Sequence, residues 1–215
     1  LGDVYKRQSW KLGFVGRNGK GKTTFLQLLL GKYEYQGAIT CSVVFDYFPY
    51  PVKQKDLERT AAELMEDWKA GVESWRVLCE LEKLDMDAEL LYRPFGTLSF
   101  GERTRVMLAV LFFGENDFLL IDEPTNHLDL ETMDWLETYL KAYRGAVLVV
   151  SHDRYFLDSV CTRIWELRGK TITTYRGNYS AYLPQREAAD ERLQKQHDAD
   201  VEKAAKLQDY IDRNL

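Results

Sequence analysis

The sequence predicts an α/β domain with a mostly parallel core sheet, flanking helices and a helical subdomain, followed by one long C-terminal helix. Three observations carry this. Gly16-Arg-Asn-Gly-Lys-Gly-Lys-Thr23 follows the apolar run Trp10–Val15 and opens a helical stretch over 23–30, so a glycine-rich loop joins strand to helix. A second apolar run, Phe118–Ile121, ends in adjacent carboxylates, Asp122 and Glu123. Buried strands have that composition, and open α/β sheets bind ligands at their carboxyl ends. Gln185–Leu215 contains no glycine or proline, is rich in charge and alanine, and is longer than most globular helices.

Along the chain, Leu1–Gln8 fits no strand or helix pattern, resembles translated adapter sequence, and is set aside. Trp10–Val15 reads as the first strand and 23–30 as the first helix, stopped at Gly31-Lys32. The apolar and β-branched residues between Gly37 and Phe48 suggest strands, broken by Pro49-Tyr-Pro51. Lys55–Tyr92 carries Leu, Trp and Met at helical spacing and reads as two or three helices with a break near Gly71. Trp68 and Trp75 are expected in the core. Ser99–Phe113 reads as a helix, then Phe118–Ile121 as a strand. Leu130–Tyr143 is an amphipathic helix ending near Gly145, and Ala146–Val150 is another buried strand, followed by Ser151-His152-Asp153. Ile164–Leu167 and Thr171–Tyr175 flank Arg168-Gly-Lys170 as a hairpin. Residues 185–215 are either a terminal helix on the domain or, preferred for its length, the first arm of a helical hairpin.

Size and composition bound the rest. The chain has 215 residues, enough for one domain or one and a half, and its 45% hydrophobic content suffices for a core. A net charge of −5 gives no electrostatic case for nucleic-acid binding by the whole chain. Cys41, Cys79 and Cys161 are odd in number and widely spaced, so they read as small buried hydrophobes in a reducing, cytoplasmic compartment. No apolar stretch has the length of a membrane span, so a membrane role would need a partner chain.

The loop Gly16-Arg17-Asn18-Gly19-Lys20-Gly21-Lys22-Thr23 matches the phosphate-binding pattern G-x-x-x-x-G-K-[ST]. Its glycines let successive N–H groups face one anion, and the helix start adds positive dipole there. Lys22 would reach the outer phosphates, the Thr23 hydroxyl would hold Mg²⁺, and Thr24 would support the phosphates. Asp122 then serves as the metal carboxylate and Glu123 faces a water, which together read as a nucleoside-triphosphatase site. Leu98-Ser99-Phe100-Gly101-Glu102 places Ser and Gly at a helix start, an ordinary N-cap with a capping-box partner or a second anion-binding end.

In this order (phosphate loop, Ser99-Phe-Gly-Glu102, Asp122-Glu123, Leu128-Asp129, His152) the motifs resemble those of an ABC ATPase domain, over roughly residues 9–182. The resemblance implies a P-loop fold of ABC type that binds ATP with Mg²⁺. Two such domains would face each other head to tail, each phosphate loop completed by the other's Ser99, Gly101 and Glu102 signature. It further implies that Glu123 polarises the attacking water, that His152 senses the γ-phosphate, and that Asp129 belongs to the nucleotide-facing loop. Pro124-Thr-Asn-His-Leu-Asp129, Ser151-His-Asp-Arg-Tyr-Phe-Leu-Asp158 and Gly177-Asn-Tyr-Ser-Ala-Tyr182 are similar to the ABC-F group. Its members carry two ATPase domains in one chain and act on ribosomes, beside rRNA and tRNA, as translation factors or in antibiotic resistance. Phe48-Pro-Tyr-Pro51 and Phe100 are similar to the resistance-associated branch. On this reading 9–184 is the nucleotide-binding domain, truncated before its adenine-stacking aromatic, and 185–215 the first arm of the interdomain linker, with no membrane insertion. The competing reading is the ATP-hydrolysing subunit of a transporter. Two departures stand out: Phe100 replaces a signature glycine, and Tyr50 stands where the Q-loop glutamine is expected, with Gln54 nearby.

Overall fold

A computed structural model describes residues 10–17, 19, 21–40, 43–84, 86–113, 118–126 and 128–214. Six strands form one sheet in the order β2-β3-β4-β1-β5-β6. They are β1 (Lys11–Gly16), β2 (Phe45–Phe48), β3 (Phe118–Asp122), β4 (Ala146–Val150), β5 (Arg163–Arg168) and β6 (Thr171–Arg176). The first five run parallel; β6 closes the edge as the antiparallel arm of a hairpin with β5. Asp122 pairs with Val150, and Val150 with Phe14, so the ends of β3, β4 and β1 reach one sheet edge together. The phosphate loop, the carboxylate pair and His152 all leave from that edge.

The central strands are apolar throughout because both faces are covered. On one face Leu12, Phe14, Leu120, Leu148 and Val150 pack with Leu26 of α1 (Lys22–Leu29). On the other, Leu119, Ile121, Val147 and Val149 join a larger cluster built with α4 (Phe100–Leu111), α5 (Leu130–Ala142) and α6 (Arg154–Val160). That cluster continues into the helical subdomain of α2 (Ala61–Trp68) and α3 (Ser74–Glu82), separated by Gly71 at φ 79°. Gly13 of β1 is required by packing. A Cβ there would lie 2.7 Å from Ile164 Cδ1 and 3.0 Å from Cys161 Sγ.

The chain ends in α7 (Tyr179–Asn214), 36 residues long. It begins before the glycine- and proline-free stretch and includes Pro184, because its start is fixed by side chains. Asn178 Oδ1 accepts from Ala181 N at 3.1 Å, and Asp158 Oδ1 accepts from Ser180 N at 2.6 Å.

Three expectations are corrected. Among the described residues of 37–48 only Phe45–Phe48 is strand; Ile39 and Val44 are exposed and have no apolar face to pack on. Trp75 is 59% exposed with Arg76 over its ring, while Trp68 is half-buried against the core, stacked on Tyr50 at 5.3 Å. Cys161 is buried but Cys79 is exposed, and Cys41 lies outside the described residues.

Candidate functional site: a phosphate loop beside a carboxylate pair

The loop after β1 is shaped by backbone that only glycine adopts easily. Gly19 and Gly21 have φ of 70° and 100°, in the left-handed region. At Gly16 a Cβ would approach Leu167 O to 2.8 Å, so the loop leaves β1 against the neighbouring strand. Gly21 is the N-cap residue of α1 and its carbonyl accepts from Phe25 N at 2.8 Å. The first N–H groups of α1 therefore open toward the loop, with the helix dipole behind them. The Lys22 side chain folds over this turn and its Nζ donates to Gly16 O at 3.0 Å. Arg17, Lys22, Ser151 and His152 share the wall of a cavity of about 280 Å³. Thr24 is exposed on the first turn of α1, and Asn18 and Lys20 lie outside the described residues.

Beside the loop, the end of β3 carries both acids. The Thr23 hydroxyl donates to Asp122 Oδ2 at 2.7 Å, which leaves the hydroxyl oxygen's lone pairs for a cation. Asp122 Oδ1 is buried with no hydrogen-bond partner. A hydroxyl, a carboxylate oxygen in need of a donor, and nearby phosphates suit Mg²⁺, which keeps several waters and rarely takes an all-protein cage.

Glu123 adopts φ 51°, a strained conformation for a non-glycine residue, held by a 2.8 Å bond from its N–H to Val150 O. That turn points its carboxylate toward His152, whose Nε2 is 3.2 Å from Glu123 Oε1. Glu123 Oε2 is buried and has no partner. Burial pushes the Glu123 carboxyl above its ordinary pKa, against the opposing pull of His152. Ser151 supports the turn. Its hydroxyl lies 3.0 Å from Thr125 Oγ1 and accepts from Asp153 N at 3.0 Å.

The structure thus brings Gly16, Arg17, Lys22, Thr23, Asp122, Glu123 and His152 to one edge. It does not bring the signature residues there. Ser99 caps α4, accepting from Glu102 N at 3.2 Å while Glu102 accepts from Ser99 N at 2.6 Å. As an acceptor in that box, the Ser99 hydroxyl keeps its own hydrogen for an anion arriving at the helix start. Gly101 sits in the first turn of α4, and the Phe100 ring is 66% exposed under Arg103. Asp129 caps α5 through Thr132 N at 2.8 Å and pairs with Arg105 of α4 at 3.2 Å.

Sequence reasoning missed Tyr47. Its hydroxyl lies 3.3 Å from Asp122 Oδ2, and burial together with the Asp122 charge pushes its pKa up to about 12. Tyr50, at the Q-loop position, is buried, stacks on Trp68 and donates to Asp46 Oδ1 at 3.1 Å, whereas Gln54 is exposed. Among the described contacts of Asp122 and Glu123, neither Tyr50 nor Gln54 is a hydrogen-bond partner.

Comparison with known proteins agrees with this geometry. The family described as ABC transporter matches residues 3–126, and an extension of the same description matches 165–215. The putative ATP-binding protein YdiF of Bacillus subtilis is 50% identical over 119 residues, covering 55% of this chain and 18% of that protein. Ribosome protection protein VmlR of the same organism is 36% identical over 205 residues, covering 95% of this chain and 34% of VmlR. The chain spans well under half the length of these curated relatives. Among solved structures, archaeal ribosome recycling factor aABCE1, in complex with the ribosomal stalk protein aP1, aligns with TM-score 0.64 and 29% identity, covering 85% of this chain and 37% of that one. The chain belongs to the ABC family of ATP-binding proteins, within its ABC-F group.

Proposed function

We propose that this chain is the ATP-binding and ATP-hydrolysing domain of a cytoplasmic ABC-F protein that acts on the ribosome, using nucleotide as a conformational switch. The observation that carries the ATPase part is the pairing of Thr23–Asp122 at 2.7 Å with Glu123–His152 at 3.2 Å on one sheet edge. Lys22 would meet the outer phosphates, Thr23 and Asp122 would hold Mg²⁺, and the ion when bound would neutralise charge on the β- and γ-phosphates. Glu123, held facing His152, orients the attacking water and accepts its proton. His152, on the same cavity wall as Lys22, would sense the γ-phosphate. The ribosomal part is supported by the kinship with VmlR, a ribosome protection protein. Residues 9–184 form the nucleotide-binding domain, and 185–215 the first arm of a linker to a second ABC domain, whose signature would complete this site. A role in protection against antibiotics is the narrower form of the same reading.

The test uses the intact parent protein. Glu123→Gln keeps the shape of the side chain and removes the base, so it should lower ATP turnover by about 10²–10³-fold. It should also hold the protein on ribosomes when ATP is present, read by co-sedimentation. Lost turnover with ribosome binding equal to wild type, with and without ATP, would contradict the ribosomal reading and leave the ATPase intact.

A further inference from the structure

Asp122 is reached from two elements. Thr23 comes from the first turn of α1. Tyr47 comes from β2, where it pairs with Leu120 of β3. Alternate residues of a strand share a face, so Asp122 lies on the Leu120 side, the side covered by α1. The register thus places Tyr47, Thr23 and Asp122 together. The Tyr47 hydroxyl donates to Asp122 Oδ2, 3.3 Å away. Oδ2 then holds two hydroxyl donors, and Oδ1 is left buried with no partner.

We infer that Tyr47 is a positioning residue for the Mg²⁺ aspartate. It fixes the Asp122 carboxylate so that Oδ1 faces the metal's coordination shell, a constraint supplied from the β2 segment even though Tyr50 is committed to Asp46 and Trp68. This rests on the nucleotide-site reading above. Groups that orient a metal ligand without touching the metal commonly change metal affinity by about 10–100-fold. Since Thr23 remains on Oδ2, the lower end is expected here.

The experiment follows binding of fluorescent mant-ATP to the purified chain, first in EDTA and then during a Mg²⁺ titration. Tyr47→Phe keeps the ring, over which Lys32 sits at 5.5 Å, and removes only the hydroxyl. Tyr50→Phe removes a more deeply enclosed hydroxyl that touches Asp46 instead. Tyr47→Phe should raise the Mg²⁺ concentration for half-maximal effect about tenfold and leave mant-ATP affinity in EDTA as in wild type. Tyr50→Phe should change neither. A Tyr47→Phe curve that overlays wild type overturns the inference, as does a loss of affinity already present in EDTA or shared equally by Tyr50→Phe. A wild-type chain that binds no mant-ATP under either condition overturns the nucleotide reading itself, and this inference with it.

Discussion

Glu123 shows how much a single residue in this fold is shaped for chemistry and not for stability. Its φ of 51° places it in a region that costs a non-glycine residue about 1 kcal/mol or more. Its side chain is partly enclosed with one oxygen unpartnered, and burial raises its pKa. A carboxyl whose folded pKa lies above its unfolded value binds more protons in the native than in the unfolded state within that window. Its stabilising contribution is therefore full below the unfolded value, near pH 4.3, and is lost as pH rises through the folded value. Glu123→Gln has no proton to lose. Relative to wild type it should melt at the same temperature near pH 4 and at a higher one, by about 2–4 °C, at pH 7.5. Thermal unfolding followed by circular dichroism at the two pH values checks this. A variant that melts below wild type at pH 7.5 would show that the Glu123 carboxylate is satisfied in the fold after all.

At the scale of elements, two motifs far apart in sequence prove to be two halves of one joint. Asp153 caps α6, accepting from Tyr155 N and Phe156 N, and Asp158, four residues on from Arg154, reaches the start of α7 to accept from Ser180 N at 2.6 Å. Asn178 Nδ2 donates to Asp158 O, and the Arg154 guanidinium lies 5.9 Å from the Tyr179 ring centre. The helix that follows His152 thus holds the N-terminus of the longest helix, and Gly177 at φ 96° turns the chain into it. Farther along, Arg186 of α7 pairs with the buried Glu166 of β5 at 3.1 Å. Asp158→Ala should remove one cap and a favourable helix-dipole charge, costing about 1–2 kcal/mol. Hydrogen exchange should speed in the amides of 180–186 while those of β1 and β3 keep their protection; uniform acceleration across the chain would mean that the joint is not a separate unit. Local pattern made much of this fold legible. The strand at Ala146–Val150 and the helix ends near Gly31 and Gly145 follow from apolar runs and stop residues. The phosphate loop and the Asp122-Glu123 pair were legible because their chemistry is contiguous. What the sequence hid depends on contacts between distant segments. The reach of Tyr47 to Asp122 follows from β2–β3 register, which nothing local to Phe45–Phe48 encodes. Trp75 looked like core because its helix is amphipathic, yet it falls beside the apolar stripe, not within it. The Asp158–Ser180 bond joins positions that in sequence are merely the end of one motif and the middle of another.

For the whole molecule, the decisive fact is that the two anion-binding ends do not meet. Lys22 and His152 share one cavity, whereas Ser99 stands at the start of α4 with its hydroxyl in a capping box and is not among the cavity's described lining residues. The Arg105–Asp129 pair ties α4 to α5, so the signature end is carried on the body of the domain. A nucleotide bound at Lys22 would then face solvent on one side unless a second domain supplied its own Ser99. Hydrolysis needs that side closed, because water exclusion and donors aimed at the γ-phosphate supply much of the transition-state stabilisation. The isolated chain should therefore bind ATP yet turn it over slowly. What turnover it shows should arise from transient pairs of chains, so the rate per chain should rise roughly in proportion to protein concentration while most chains are unpaired. Phosphate release measured across a hundredfold range of chain concentration tests this. Ser99→Ala should lower the rate without weakening nucleotide binding by the single chain, since the lost hydroxyl serves the opposing site. Equal specific activity at every concentration, unaffected by Ser99→Ala, would mean that one chain suffices for catalysis and that the head-to-tail arrangement plays no part in it.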